Sequence, residues 1–376
     1  MGFMEQAIFF SDEKVQEMFN KVVNHLSDFR GIPVATYRLQ FNHQFKFLNA
    51  KSIISYLHEL GISDCYTSPY FKAQTGSLHG YDILDHNILN PEIGTEEEYN
   101  EWIEELKRYG MGQILDIVPN HMSIAGDENT WWMDVLENGP SSIYADFFDI
   151  DWRPVKDELE NKVLLPILGD QYGLILENQE LNLFFKEGAF FIHYYDRRLP
   201  VAPTTYKKIL EFRIDELEKK MGKDHPHLQE LLSIITALEH LPPRTEKDRE
   251  KIMERRREKE IIKRRLWNLY NESGEIRSFI NENIRIFNGE KCDRRSFDFL
   301  DELLNDQAYR LSHWRVATEE INYRRFSDIN ELAAIRMEDP LVFKEAHRLI
   351  FKLIREKKVT GLRVDHADGL YNSAEY

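Results

Sequence analysis

The chain of 376 residues is poor in cysteine and lacks long apolar runs. Its two cysteines, Cys65 and Cys292, lie far apart and in no metal-ligand spacing, so we expect a reduced, buried thiol at Cys65 and no disulfide. No apolar run approaches the length of a membrane span, and the N-terminus lacks the basic-then-apolar order of a secretory signal. These absences predict a cytoplasmic protein, and nothing in the sequence calls for a cofactor or a metal.

Basic residues are also scarce relative to acidic ones. The chain has 49 Lys and Arg against 65 Asp and Glu, a formal net charge of −16. Such an excess of negative charge argues against nucleic acid or an anionic membrane as the main partner. Aromatic residues make up 12% of the chain, which fits a site for a neutral ligand such as a sugar, although most of these rings are expected in the core.

Strands and helices alternate twice over the first 120 residues. A helix capped by Asn49 is predicted to end at Gly61, and a second begins at the capping box formed by Thr95 and Glu98. After a long interruption, a helix starting at Asp339-Pro340 leads to another strand. The four predicted strands are 33–41, 64–70, 113–118 and 361–365. This spacing predicts βαβ units and a parallel sheet.

The alternation stops between Ser123 and about Glu338. Residues 131–206 are rich in Trp and Phe and are predicted to form loops, followed by charged helices, the longest capped by Thr245 and Asp248. We therefore divide the chain into four parts: a helical extension (1–30), three strands with their helices (31–122), an inserted subdomain (123–338), and a final helix and strand (339–376).

Polar side chains follow three of the predicted strands. After the second strand comes Ser77-Leu-His-Gly-Tyr-Asp82, and the third leads into Asp116-Ile-Val-Pro-Asn-His121. The fourth carries Arg363 and Asp365 and is followed by His366 and Asp368. Each group alone is explained by a turn or an ion pair. Because the carboxyl ends of parallel strands share one edge, where active sites of such sheets lie, the three together favour a site.

The residue types at these strand ends suggest glycoside chemistry. A cation two residues before Asp365 favours its ionised form, which suits a nucleophile. The ring of Tyr81 offers an apolar face on which a sugar can stack, and His121 can hydrogen-bond a polyhydroxy ligand. Together they describe half of the site of a retaining glycosidase, whose second carboxyl group remains to be found.

The same residues carry a resemblance to a known family. The motifs Asp116-x-x-x-Asn120-His121 and Gly361-x-Arg363-x-Asp365 resemble conserved regions of the α-amylase superfamily, glycoside hydrolase family 13. Within it, residues 31–370 are similar to the family of maltooligosyltrehalose synthases. The motifs that carry this closer similarity are 33–40, 77–82, 115–122, 131–140, 147–152, 162–169, 322–326 and 365–370.

The resemblance implies the N-terminal half of a TIM (β/α)8 barrel, strands one to four, with a large and mostly helical insertion after strand three. It implies a (1→4)-α-D-glucan 1-α-D-glucosylmutase, which converts the reducing-end linkage of a maltooligosaccharide into an α,α-1,1 linkage without cofactor or metal. The implied nucleophile is Asp365, with Arg363 as its electrostatic partner. The implied substrate-binding and supporting residues are Tyr81, His121, Asp116, Asn120, His79, His366 and Asp368.

Two features depart from the family pattern. The acid/base Glu and a third catalytic Asp belong to later strands, and Glu375 lies too close to Asp365 to replace that Glu. Ser327 stands where an aromatic residue is expected. We therefore expect no mutase activity from this chain alone, and a half-barrel with open edges could pair with a second polypeptide supplying strands five to eight. The alternatives are another α-glucan hydrolase or 4-α-glucanotransferase, a non-catalytic glucan-binding remnant, and an interaction module built on helices 207–290.

Overall fold

A computed structural model describes residues 16–18, 20–21 and 32–376. The predicted helical extension over residues 1–30 lies outside the described residues, apart from those five, which are helical and exposed. The remaining chain divides into two compact units. The first unit comprises residues up to 70, 89–117 and 350–363, and the second comprises 71–88, 118–349 and 364–376. The four-part division predicted from the sequence stays a prediction.

Strands and helices follow each other along both units. The strands are β1 Thr36–Leu39, β2 Asp64–Thr67, β3 Phe71–Ala73, β4 Ile83–Leu89, β5 Gly112–Ile117, β6 His121–Ser123, β7 Val163–Leu168, β8 Asn182–Lys186, β9 Ala189–Tyr194, β10 Arg197–Pro200, β11 Tyr309–His313, β12 Leu332–Ala334 and β13 Gly361–Val364. The helices are Phe47–Ser52, Ile54–Glu59, Glu96–Arg108, Thr130–Asn138, Tyr172–Glu177, Tyr206–Leu210, Ile214–Met221, Pro226–Glu239, Arg249–Glu272, Gly274–Phe287, Asp298–Asn305, Ala317–Glu320, Pro340–Ala346 and Arg348–Arg355. Among the described residues, no helix is both long and apolar enough to cross a membrane.

The first unit is organised around a sheet with the strand order β1-β2-β5-β13. The pairs β1/β2 and β2/β5 are parallel, with Thr36 opposite Asp64 and Asp64 opposite Gly112. The four strands predicted from the sequence are therefore confirmed, and they stand in the sheet in chain order. Gly112 is required at its place, because a Cβ there would collide with the Asp64 carboxylate.

The helices of this unit begin where local hydrogen bonds can satisfy their first N–H groups. The predicted capping box is confirmed: the Thr95 hydroxyl accepts from the Glu98 amide at 3.2 Å, and the Glu98 carboxylate accepts from the Thr95 amide at 2.9 Å. The predicted cap at Asn49 is wrong. The helix starts at Phe47, and Asn49 lies inside its first turn, where its side chain accepts from the Lys46 amide at 2.9 Å.

An aromatic cluster fills the core of the first unit. Its rings are buried and pack at centroid distances of 5.2 to 6.3 Å, many of them edge to face, and they belong to Phe41, Phe47, Tyr70, Tyr99 and Trp102. The phenol groups are satisfied within the cluster, because Gln113 donates to the Tyr70 hydroxyl at 2.9 Å. The thiol of Cys65 is buried and free, as predicted, and burial raises its pKa to about 12.

The second unit contains the inserted residues and has a large apolar core of its own. Its strands form small sheets: β10-β9-β8, β7 with β11, β12 with β6, and β3 with β4. The loops predicted for residues 131–206 are therefore wrong. In the antiparallel sheet, the two-residue turn Glu187-Gly188 joins β8 to β9. Lys186 pairs with Ala189 across this turn, and both turn residues have positive φ. Gly188 is also required by packing, because a Cβ would collide with the Lys263 carbonyl.

Helices follow in the insertion where the apolar spacing predicts them. Leu228, Leu231, Ile235 and Leu238 lie buried on one face of the helix Pro226–Glu239. The longest helix begins one turn later than expected: its cap is Asp248 alone, whose carboxylate accepts from the Lys251 amide at 3.1 Å, and it extends through Glu272. The predicted contribution of Thr245 to that cap is wrong.

Candidate active site

Asp116 is the buried acceptor of a hydrogen-bond cluster in the first unit. It lies on β5, and its side chain is fully buried. One carboxylate oxygen accepts from the Arg363 guanidinium at 2.9 Å, and the other accepts from the Tyr66 hydroxyl at 3.0 Å. Arg38 approaches the second oxygen at 3.5 Å and lies 4.6 Å from the Tyr66 ring centroid. Burial and the Asp116 carboxylate raise the pKa of Tyr66, so its phenol stays a hydrogen-bond donor.

A cavity of about 510 Å³ in the second unit is lined by four of the nine predicted site residues. Its lining includes Asp365, Tyr81, His79 and His121, which three different segments of the chain supply. The other lining residues are not among the predicted site residues, although Asp82 and Phe326 lie in motifs found in the sequence. They are Gln74, Asp82, Ser123, Ala125, Phe326, Ile329, Glu331 and Leu332. A mostly apolar cavity of this size, with a few convergent polar groups, has the general form of a small-molecule site.

The loop Ser77–Asp82 presents a ring to this cavity. Tyr81 is half-buried, and its amide donates to Nδ1 of His79 at 3.1 Å, so the two rings stack at 6.0 Å between centroids. Gly80 makes the turn between them possible with a φ of 78°. The Ser77 hydroxyl donates to Asp82 at 2.6 Å and accepts from the Gly80 amide at 3.1 Å, which closes the loop on itself.

His121 is a neutral, buried ring in the cavity wall. It lies on β6, and burial lowers the pKa of its imidazole to about 4, with the backbone of Tyr81 acting in the opposite direction. Its ring packs on Phe326 at 4.5 Å between centroids. Nδ1 is 3.4 Å from the Asn120 amide, whereas buried Nε2 makes no hydrogen bond of good geometry to the described residues. A neutral imidazole with an unused nitrogen can donate to or accept from a sugar hydroxyl.

Asn120 lies next to His121 and is held in a network of hydrogen bonds. It is buried, and its side-chain oxygen accepts from Arg324 at 3.1 Å. Arg324 also donates to the Gly369 carbonyl at 2.9 Å and to Asp149 at 2.8 Å, so it ties the segment after Asp365 to the insertion. Gly369 is needed there, because a Cβ would collide with the His366 ring and lie 2.8 Å from the Asn120 oxygen.

His366 and Asp368 lie outside the lining of the cavity. The His366 ring packs edge to face on Phe326 at 4.8 Å, and its Nδ1 is 3.3 Å from the largely exposed Asp368 carboxylate. The motif 131–140 belongs mostly to the helix Thr130–Asn138, and it does not line this cavity either. Ser327, the departure from the aromatic pattern, is exposed and has a φ of 53°.

Three carboxylates face the cavity: Asp365, Asp82 and Glu331. Asp82 is held by the Ser77 hydroxyl, and Glu331 forms an ion pair with Arg197. Glu375 lines a different cavity, of about 240 Å³, and accepts from the Asn372 amide at 2.8 Å. Among the described residues, no three His, Cys, Asp or Glu side chains are grouped as metal ligands. The cavity is therefore suited to a neutral polar ligand bound by stacking and hydrogen bonds.

Residues 51–205 match the alpha-amylase family model, "Alpha amylase, catalytic domain". A solved structure of maltooligosyltrehalose synthase from Arthrobacter ramosus is 31% identical, with a TM-score of 0.61, covering 92% of this chain and 32% of that chain. A Mycobacterium tuberculosis (strain ATCC 25618 / H37Rv) relative, provisionally named a maltooligosyl trehalose synthase, is 29% identical over 91% of this chain and 32% of its own length. The intracellular maltogenic amylase of Bacillus subtilis (strain 168) is 36% identical over 37% of this chain and 22% of its own length.

The chain thus spans about a third of the length of the relatives that it matches from end to end, less than the half expected from the strand count. The similarity covers nine-tenths of the chain, so it includes residues of both units and of the insertion. These similarities confirm the resemblance to the α-amylase superfamily, glycoside hydrolase family 13, and within it to the maltooligosyl trehalose synthases.

Proposed function

We propose that this chain is the nucleophile-bearing part of an enzyme that rearranges maltooligosaccharides to maltooligosyltrehalose. The observation that carries the proposal is the cavity that unites Asp365 with Tyr81 and His121. The similarity to maltooligosyl trehalose synthases supports the substrate class and the reaction. The fold proposed with it is the first half of a TIM barrel, supported by the sheet order β1-β2-β5-β13.

In the proposed mechanism, Asp365 attacks the anomeric carbon of a glucosyl unit, and the glycosidic C–O bond breaks as a covalent glycosyl-enzyme forms. The glucose that leaves takes up a proton and stays in the closed site. It then turns and attacks through its own anomeric hydroxyl, whose proton passes to the group that protonated the leaving glucose, so that the bond to Asp365 breaks and an α,α-1,1 linkage forms. Tyr81 stacks against the sugar, and neutral His121 hydrogen-bonds one of its hydroxyls. Exclusion of water separates this isomerisation from hydrolysis.

The proton donor of this mechanism is proposed to lie outside the chain. Of the carboxylates that face the cavity besides Asp365, Asp82 is engaged by Ser77 and Glu331 by Arg197. We therefore propose that the chain alone binds α-glucans without turning them over. A second polypeptide with the remaining strands would complete the site. Tyr37 on β1 and Leu362 on β13, the two outer strands of the sheet, are exposed, which supports such a partner.

Calorimetry and product analysis with maltopentaose test the proposal. The purified chain is expected to bind maltopentaose, and Tyr81→Ala is expected to weaken binding by about tenfold through loss of the stacking surface. No trehalose-ended product is expected from the chain alone. Turnover by the wild-type chain that disappears in Asp365→Asn, but not in the control Asp196→Asn on an exposed turn, would contradict the assignment of the proton donor to another segment.

Other functions on the same site give different results in the same assays. A glucan hydrolase releases new reducing ends, and a 4-α-glucanotransferase redistributes chain lengths without changing the number of reducing ends. A glucan-binding remnant binds maltopentaose and stays inactive when the barrel strands five to eight of a relative are added as a second polypeptide. Absence of binding by the wild-type chain would refute the whole group.

A further inference from the structure

A small cavity of about 80 Å³ lies in the second unit, where the parallel strands β7 and β11 begin side by side. Besides two leucines, its lining residues are Lys162, Tyr172, Asn305, Tyr309 and Arg310, and we call it the Lys162 cavity. It shares no lining residue with the cavity that contains Asp365, the Asp365 cavity. Two of its lining residues are cationic and none is acidic, which favours a negatively charged ligand.

The ammonium group of Lys162 is half-buried and short of acceptors. It donates to the Asn305 carbonyl at 2.5 Å, and it forms no ion pair with a carboxylate of the described residues. Burial and the neighbouring cations Arg244 and Arg310 lower the pKa of Lys162, whereas Asp306 acts in the opposite direction. An ammonium group that is partly desolvated and surrounded mainly by cations is stabilised when an anion binds beside it.

Arg310 contributes a guanidinium group that is only loosely paired. Its Nη2 is 3.6 Å from the Glu158 carboxylate, and the two side chains are 43% and 69% exposed. An ion pair of this length and exposure contributes little to stability, so the guanidinium can turn to another acceptor at low cost. Its planar fork of N–H groups matches two oxygens of a phosphate or a carboxylate.

The hydroxyl of Tyr309 supplies a buried donor. Tyr309 is 1% exposed, and its hydroxyl makes no hydrogen bond to the described residues. Burial raises its pKa, so the group stays protonated. The neighbouring phenol of Tyr172 does not serve it, because that hydroxyl donates to Asp301 at 2.7 Å. A buried hydroxyl of this kind is stabilised by any ligand that accepts its proton in a hydrogen bond.

The carboxylates of this region are engaged outside the cavity. Asp301 accepts from Tyr172 and, at 3.2 Å, from the Asn305 amide, and Asp306 pairs with Lys208 at 2.7 Å. Neither carboxylate lines the cavity, so the lining does not suit a metal cation, and a neutral ligand would leave its cations without a counter-charge. The volume is several times the about 15 Å³ that one water needs, which leaves room for a four-oxygen anion.

We propose that the Lys162 cavity binds a phosphoryl group through the ammonium of Lys162, the guanidinium of Arg310 and the hydroxyl of Tyr309. Inorganic phosphate and the phosphate monoester of a sugar share this chemistry. Because Arg310 is largely exposed, the cavity opens to solvent on its side, and the rest of an ester can stay outside. None of the three side chains lines the Asp365 cavity, so this binding does not depend on the proposed glucan substrate.

Calorimetric titration of the full chain with inorganic phosphate in a low-salt buffer tests the site. We expect one phosphate to bind per chain, and Tyr309→Phe and Arg310→Gln each to weaken binding by about tenfold, because each removes a donor to a charged oxygen. The matched controls Tyr195→Phe and Arg285→Gln make the same changes at exposed positions of the same unit and should alter binding by less than about twofold.

Thermal unfolding in phosphate-free buffer separates binding from folding. Tyr309→Phe should unfold at the temperature of the wild type or above it, because the hydroxyl has no partner among the described residues. Unfolding at a lower temperature would show that the hydroxyl has a structural role and would overturn the site.

Unchanged phosphate binding in either Tyr309→Phe or Arg310→Gln would also overturn the site, as would a wild-type chain that binds neither inorganic phosphate nor glucose 6-phosphate. Binding of phosphate alone supports a site for the free ion, whereas tighter binding of glucose 6-phosphate supports a site for a monoester. Glucose, which has no phosphoryl group, should compete with neither, and competition by glucose would refute recognition of the phosphoryl group.

Discussion

Replacing Glu137 should destabilise the second unit more than any exposed ion pair of the chain. Glu137 lies on the helix Thr130–Asn138, with its side chain 9% exposed, and it binds Lys259 and Lys263 of the helix Arg249–Glu272. Burial alone would raise the pKa of Glu137, but the two ammonium groups outweigh it and lower the pKa to about 2. The carboxylate is therefore held ionised between two helices that are far apart in sequence.

The pKa sets the size of the expected effect. The difference between the ordinary value of 4.5 and about 2 corresponds to about 3 kcal/mol of stability. Because the folded-state pKa is lowered, this contribution is present above pH 4.5 and is lost as the pH falls through 4.5 towards 2. Glu137→Gln should cost about 3 to 5 kcal/mol near pH 7, since it removes the carboxylate that pairs with both buried ammonium groups and leaves them only the more exposed Asp134 and Glu260.

Urea unfolding followed by circular dichroism measures this loss. The control is Asp215→Asn, which removes an exposed partner of Lys219 four residues away and should cost less than about 0.5 kcal/mol. Converting Lys259 and Lys263 to Met in the Glu137→Gln background should recover most of the loss, because the two buried ammonium groups are then removed together with the carboxylate. A loss below about 1 kcal/mol in Glu137→Gln, or no recovery in the triple variant, would refute this reasoning.

Two further predictions concern pH and the buried carboxylate of the first unit. Burial lowers the pKa of His86, His121 and His347 to about 4. Between pH 6.5 and 4 the unfolded chain therefore binds protons at these histidines that the folded chain does not bind. The free energy of unfolding should fall over that range by up to about 3 kcal/mol per histidine. An equal urea midpoint at pH 7 and pH 5 would contradict this. Asp116→Ala should lower the free energy of unfolding by about 3 kcal/mol and Tyr66→Phe by about 1 kcal/mol, because only the first removes the acceptor shared by several donors. Equal losses of stability in urea unfolding would show that Asp116 is not that shared acceptor.

The parallel strands could be predicted because their signals are local. Each is a short apolar or β-branched run that follows a helix, and two of those helices end at Gly61 and Gly110, both with positive φ. The capping box at Thr95 and Glu98 is likewise contained within four residues. The prediction of Asn49 as the N-cap was wrong because asparagine is also found inside the first turn of a helix. The burial of Phe47 and Ala50 decides that the helix begins at Phe47 and not after Asn49.

The strands of the insertion could not be predicted in the same way. The run Val163–Leu168 contains Pro166, which argues against a strand, and its partner β11 begins at Tyr309. Its pairing depends on a contact across more than a hundred residues, which periodicity does not reveal. The hairpin turn at Glu187-Gly188 was the available local signal, since a glycine between two alternating aromatic runs favours a two-residue turn.

The residues of the candidate site likewise include some that the sequence predicts and some that it does not. Tyr81, His121 and Asp365 follow predicted strands and were found from the sequence, and the structure brings them to one cavity. Phe326 and Glu331 lie before β12, a three-residue strand whose Leu-Ala-Ala sequence has no pattern of its own, and the sequence marked Phe326 only as the end of the motif 322–326. Arg324 was recognised only as part of a motif, and its three hydrogen bonds become apparent only when Asn120, Asp149 and Gly369 are placed around it.

Binding and turnover are separable properties of this chain under the proposed function. The Asp365 cavity is lined entirely by residues of the second unit, which has an apolar core of its own. We therefore expect glucan binding to depend on the folding of this unit. Turnover requires in addition a carboxyl group free to exchange protons, and Asp82 and Glu331 are each engaged, by Ser77 and by Arg197. We therefore expect maltopentaose binding without product from this chain, and product only when another segment supplies a proton donor.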